Sequence, residues 1–116
     1  MNYKLFLDDE RHPAEDGWVV ARSSKEAIEI VTQRGMPQEL ALDHDLGFKV
    51  WGISGFGQST EYDTSRTFVR WLIDELDAGR LKLPADFKYS VHSQNPVGSR
   101  WLLLTMADIV FQFQPV

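Results

Sequence analysis

Tyr3-Lys4-Leu5-Phe6-Leu7-Asp8-Asp9-Glu10 is an apolar run cut off by three acids. A short run of this kind reads as a strand buried in a sheet, with charged groups gathered where the chain emerges. The pattern returns further on. Leu40-Ala41-Leu42 runs into Asp43-His44-Asp45, and Tyr89-Ser90-Val91 runs into His92-Ser93. A fourth strand is expected at Trp18-Val19-Val20-Ala21, reached through a polar loop that holds Pro13 and Gly17.

Helical signals fill the gaps between these runs. Ser23 and Glu26 form a capping-box pattern ahead of Ala27, Ile28 and Val31, and Gly35 and Pro37 end that helix. Asp63 is a predicted N-cap for a second helix, with Phe68, Val69, Leu72, Ile73 and Leu76 on one face and Gly79 and Pro84 at its close. Asn95-Pro96 reads as an N-cap followed by proline at the first helical position. That last helix is expected to run through Trp101 to about Ala107, with Ile109 to Phe113 fraying into an extended end. Between Leu46 and Tyr62 the reading is a long loop with Gly47, Gly52, Gly55 and Gly57, of which the last three are expected to loosen a lid. Trp51, Phe56 and Tyr62 are its candidates for stacking on a base.

Strands alternating with helices predict an α/β fold around a mostly parallel sheet of about four strands. Such sheets bind ligands beyond the carboxyl ends of their strands. Three of the four expected strand ends carry Asp or His, and that coincidence is the main functional signal in the chain.

Composition narrows the function. The 116 residues, 43% hydrophobic and 25% charged, suit one domain over residues 1–116. The absence of cysteine removes disulfides, thiol catalysis and thiolate metal sites. A net charge of −5 argues against a long nucleic-acid groove, which needs clustered Lys and Arg, but leaves room for a small phosphorylated ligand. No apolar stretch approaches the roughly 20 residues needed to span a bilayer. The first residues lack a signal-peptide pattern, so the expected location is cytoplasmic and no membrane partner is expected.

Converging carboxylates repel one another unless a cation sits among them. Asp8, Asp9 and Asp43 are therefore the predicted ligands of a divalent metal, with Mg²⁺ the ion that best suits oxygen donors and phosphate. Asp45 is a candidate to orient His44. His44 and His92 are either proton carriers acting on opposite sides of a phosphorus atom or hydrogen-bonded structural residues. Ser93, Asn95 and the backbone around Gly98 offer a hydroxyl, an amide and helix N-terminal N–H groups to an anion. Arg11 and Arg100 are candidate phosphate clamps. His12, beside Arg11, reads as a surface residue near the site. No GxxxxGK[ST] or GxGxxG pattern is present.

Three blocks, LFLDDERHP, LALDHDLG and VHSQNPVG, occur in this order along the chain. In sequence and spacing they resemble the cyclic-phosphate processing receiver domain family. The resemblance implies a small, reduced receiver-like (flavodoxin-like) three-layer domain. By it, Asp8 and Asp9 are similar to the receiver acidic pair, Asp43 to the phosphoacceptor aspartate and Ser93 to the receiver hydroxyl. His44 resembles this family's addition to the aspartate, and His92 and Asn95 belong to its HSxNPxG block. The implied activity is a metal-assisted phosphoesterase that opens a cyclic phosphate on a nucleotide or RNA end, with Asp43, His44 and His92 catalytic. The alternatives are a module that binds a cyclic nucleotide without cleaving it and a receiver switch phosphorylated on Asp43. Two departures from ordinary receivers count against the switch. The segment from Asp9 to Trp18 is too short for a first helix, and no lysine-bearing final strand is evident. The insertion from Phe48 to Gln58 also differs from the usual pattern.

Overall fold

Each of the four apolar runs forms a strand, and together they make one parallel sheet. The computed structural model describes residues 2–50 and 60–115, with the side chains of residues 48–50 and 60–62 left aside. The elements run β1 (Lys4–Leu7), β2 (Trp18–Ala21), α1 (Ser24–Arg34), β3 (Glu39–Leu42), β4 (Asp45–Val50), β5 (Thr60–Thr64), α2 (Ser65–Asp77), β6 (Lys88–Val91) and α3 (Pro96–Phe113). The main sheet has the order β2-β1-β3-β6, all neighbours parallel.

Register assigns the faces. Leu5 pairs with Val19 and Leu40, and Leu7 with Ala21 and Leu42. Leu5, Leu7, Leu40 and Leu42 are fully buried in one core with Ala27 and Val31 of α1, Phe68, Val69 and Leu72 of α2, and Leu102, Met106 and Ile109 of α3. Burying a side chain of this size removes apolar surface worth about 1.5–3 kcal/mol each. All three helices thus cover one face. The intervening residues Phe6 and Ala41 point to the other, where the layer is thin and made by the loop after β1. Trp18 meets Phe6 edge-on at 5.9 Å, and His92 stacks on Phe6 at 4.7 Å.

Ser23 caps α1 as its spacing predicts, its hydroxyl accepting the Glu26 N–H at 3.1 Å. Asn95 caps α3 likewise, accepting the Gly98 N–H at 3.0 Å. Three expectations need correction. The loop from Leu46 to Tyr62 holds two strands: β4 and β5 pair antiparallel, with an irregularity between Asp45 and Phe48 next to Gly47 at φ 78°. Trp51, Phe56, Gly52, Gly55, Gly57 and the Tyr62 side chain lie outside the described residues.

Asp63 does not cap α2; Thr64 holds that position and makes no side-chain cap bond. Asp63 is buried and faces α1, where its Oδ2 accepts the Ser24 N–H at 2.9 Å, while Ser24 Oγ donates to the Thr64 carbonyl at 2.8 Å. The carboxylate therefore satisfies an orphan N–H of the neighbouring helix and ties the two N-termini together. Finally, α3 continues to Phe113. Ile109, Val110 and Phe113 pack on the core at helical spacing, so the segment expected to fray into an extended end continues the helix. Among the described residues no helix is long and apolar enough to cross a membrane.

Candidate functional site

The sheet ladder continues one residue past the strands. Asp8 N–H donates to the Ala21 carbonyl at 3.1 Å, Asp43 N–H to Leu7 at 2.9 Å, and His92 N–H to Leu42 at 2.9 Å. These bonds place Asp8, Asp43 and His92 in one row at the sheet's carboxyl edge, on the face of Phe6. Asp9 follows Asp8, and one carboxylate oxygen from each of Asp8, Asp9 and Asp43 lies within 4.8 Å of the others.

The three acids are treated unequally. Asp8 is buried, which works against its charge, yet its pKa is held below the usual range. The Arg11 and Glu10 N–H groups both donate to its Oδ1 at 2.9 Å, and His92 Nε2 lies 3.0 Å from its Oδ2. Partial burial pushes Asp9 up, with the negative charges of Glu10 and Asp8 adding to the shift. Asp43 is raised for the same reasons, first burial and then Asp8. Among the described residues the His44 N–H donates to Asp43 Oδ1 at 2.9 Å. Two carboxylates pushed toward protonation by burial and then by neighbouring negative charge are what a divalent cation would relieve. The donor set is all oxygen and hard, so these residues could hold a hard divalent cation.

The acids line a cavity of about 240 Å³ together with Glu10, Arg11, Asp45, Gly47 and Ser93. Arg11 Nη1 donates to the His92 carbonyl at 3.0 Å. Ser93 accepts the Asn95 N–H at 3.1 Å, and its own hydroxyl proton remains to donate. Behind the loop stands Arg22, which sequence reading missed. Its Nη1 donates to the carbonyls of Asp8 at 3.0 Å and Arg11 at 2.6 Å, and its Nη2 to His12 Nδ1 at 3.2 Å. Arg22 follows β2 in the same row as Asp8, so strand register was the signal that could have found it. His12 is exposed, as expected, and held by this arginine.

His44 departs from expectation. Leu42 pairs with Val91, so Asp43, not His44, is level with His92. One residue further on, His44 turns to the opposite face and enters the helix layer. Its Nδ1 lies 2.8 Å from Asp45 Oδ1, and its Nε2 accepts from Arg66 Nε at 2.8 Å. An arginine only donates, so His44 is the Nδ1–H tautomer with both nitrogens engaged. It has no nitrogen left to move a substrate proton.

The expected anion contacts at the helix start are corrected by the same network. Asn95 Nδ2 donates to Asp45 Oδ2 at 3.2 Å, and its Oδ1 takes the Gly98 N–H. A Cβ at Gly98 would collide with the His44 ring, so Gly98 is required for packing and offers no N–H to a ligand. Arg100 is exposed on α3 and does not line the cavity.

His92 differs in kind. Its ring is 24% exposed against 6% for His44, and its Nδ1 has no hydrogen-bond partner among the described residues. It also lines a second cavity of about 320 Å³, with Phe6, Trp18, Pro13 and Arg11. Arg11 borders both cavities.

Among comparisons with known proteins, the model of a family described as "Cyclic-phosphate processing Receiver domain" matches residues 3–108. No curated protein and no solved structure gives a significant match.

Proposed function

The chain belongs to the cyclic-phosphate processing receiver domain family, and from that premise we propose that it hydrolyses a cyclic phosphate on a nucleotide or RNA end, with His92 as its proton carrier. The observation that carries this reading is the row of Asp8, Asp43 and His92 at the sheet edge, with Asp9 and Arg11 beside it. Asp8, Asp9 and Asp43 would hold a divalent cation. When bound, such an ion neutralises phosphoryl charge and polarises a phosphoryl oxygen.

The chain's own groups supply the rest. Asp8 fixes the His92 ring through Nε2–H, which leaves Nδ1 as the acceptor of a proton. Water loses that proton to Nδ1 as its oxygen bonds to phosphorus. The bond from phosphorus to one ribose oxygen breaks, that oxygen takes a proton from solvent water to give a phosphomonoester, and His92 Nδ1 returns its proton to solvent. Arg11 and the Ser93 hydroxyl face the cavity where the phosphate would lie. Arg22 holds the loop that carries Arg11. The second cavity falls at the small end of the roughly 300–1,000 Å³ common for ligand sites, and its aromatic lining suits the nucleoside part.

Incubation with 2′,3′-cyclic nucleotides and cyclic dinucleotides, with and without Mg²⁺, tests the reading by chromatography. Metal-dependent appearance of a monoester, lost in His92→Ala, is the expected result. A capture-only role is favoured by one observation, that His92 is the single histidine at the site with a free nitrogen. Thermal stabilisation with the ligand recovered intact would support that role instead.

A further inference from the structure

Four large hydrophobic side chains stand exposed among the described residues, and all four are on α3: Val97 at 73%, Leu103 at 48%, Leu104 at 58% and Phe111 at 92%. Val97, Leu104 and Phe111 are spaced by seven. Two helical turns nearly return a residue to the same angle, so these three form one stripe about 21 Å long down the outer face. α3 contains only two charged residues, Arg100 and Asp108, and both are exposed. Neither side chain has a partner among the described residues. Eight positions apart, about 12 Å along the axis, they do not reach each other within one helix.

The placement has an inversion symmetry in sequence. Arg100 and Asp108 each lie four residues from Leu104, and Val97 and Phe111 each lie seven from it. Four and eight residues of twist put Arg100 on one flank of the stripe and Asp108 on the other. When two copies of α3 pack antiparallel about a two-fold axis through Leu104, Leu104 meets its own copy. Val97 then faces the partner copy's residue 111, and Arg100 faces the partner copy's residue 108, twice over. An isologous interface demands this self-complementarity. A scattered set of exposed apolar residues has no reason to show it.

We propose that the chain forms a two-fold homodimer through the outer face of α3, with the helices antiparallel and centred on Leu104. The stripe supplies apolar burial, and the two Arg100–Asp108 pairs set register and orientation. Because the acidic edge lies at the N-terminal end of α3, antiparallel packing leaves the two sites at opposite ends of the dimer, both open.

The absence of cysteine makes a direct test available. Sedimentation equilibrium of the full chain should show a concentration-dependent dimer. Arg100→Asp, which sets like charges against each other at two places, should weaken it by about tenfold or more. The double reversal Arg100→Asp/Asp108→Arg should restore it. In a mixture of Val97→Cys and Phe111→Cys chains, oxidation should give the mixed disulfide dimer. A monomer at all concentrations, a dimer indifferent to the charge reversals, or Val97→Cys crosslinking chiefly to itself would overturn the proposal.

Discussion

His44 and His92 both follow an apolar strand at the same sheet edge, yet the structure puts them to opposite uses. His44 sits inside a closed set of partners: Asp45 and Arg66 take its two nitrogens, and Gly98 makes room for its ring. His92 lies on Phe6 with one nitrogen on Asp8 and the other open. One residue of register separates them, and in a strand one residue is a change of face. What faces the helices becomes structure, and what faces the thin layer stays available for chemistry.

The sharpest way to break this contrast is His44→Ala, which strips Asp45 and Arg66 of a shared partner. It should cost about 2–4 kcal/mol, read as a shift in the urea midpoint. A loss below about 1 kcal/mol would mean that His44 is not structural. Gly98→Ala comes next, at about 1–3 kcal/mol from overpacking against the ring. Combined with His44→Ala its cost should largely vanish, because the clash is with the atoms removed. A double-mutant cycle reads this as strong coupling.

His92→Ala should cost only about 1 kcal/mol in stability. If the proposed hydrolysis is right, the same change lowers turnover by about 10²–10⁴-fold. The smallest stability effect is expected at Asp43, and its sign is reversed. The Asp43 pKa is raised in the fold, so its favourable contribution is present below the ordinary carboxylate value of 3.8 and is lost as pH rises through the raised value. Asp43→Asn should therefore melt slightly higher than the wild type at neutral pH without metal. Mg²⁺ should reverse the order: at about 100 times Kd it adds roughly 2.7 kcal/mol to the wild type alone. Melting curves at two pH values, with and without the ion, check both signs.

Much of the fold was legible because burial leaves marks in sequence. The four strands of the sheet, the cap at Ser23 and the cap at Asn95 all stand where local patterns put them. The acidic cluster was legible too, since Asp8, Asp9 and Asp43 each end an apolar run. What escaped the reading depends on partners distant in sequence. Asp63 carries the residue type of a cap and caps a different helix, a fact set by how α1 and α2 pack. The hairpin of β4 and β5 lacks an apolar run, so glycines dominated its reading. His44 and Arg22 needed the inter-strand register, which no single segment contains. Ile109 to Phe113 read as an extended end because a short apolar stretch fits two periods, and only the core decides between them.

If the row of Asp8, Asp43 and His92 opens a cyclic phosphate as proposed, phosphorus NMR observes the broken bond directly. A 2′,3′-cyclic nucleotide incubated with the protein and Mg²⁺ should lose its cyclic-diester resonance as a monoester resonance grows. The conversion should fail in His92→Ala and Asp43→Asn proteins that remain folded. An unchanged cyclic-diester signal with wild-type protein, across cyclic mononucleotides and cyclic dinucleotides at saturating metal, would contradict the account.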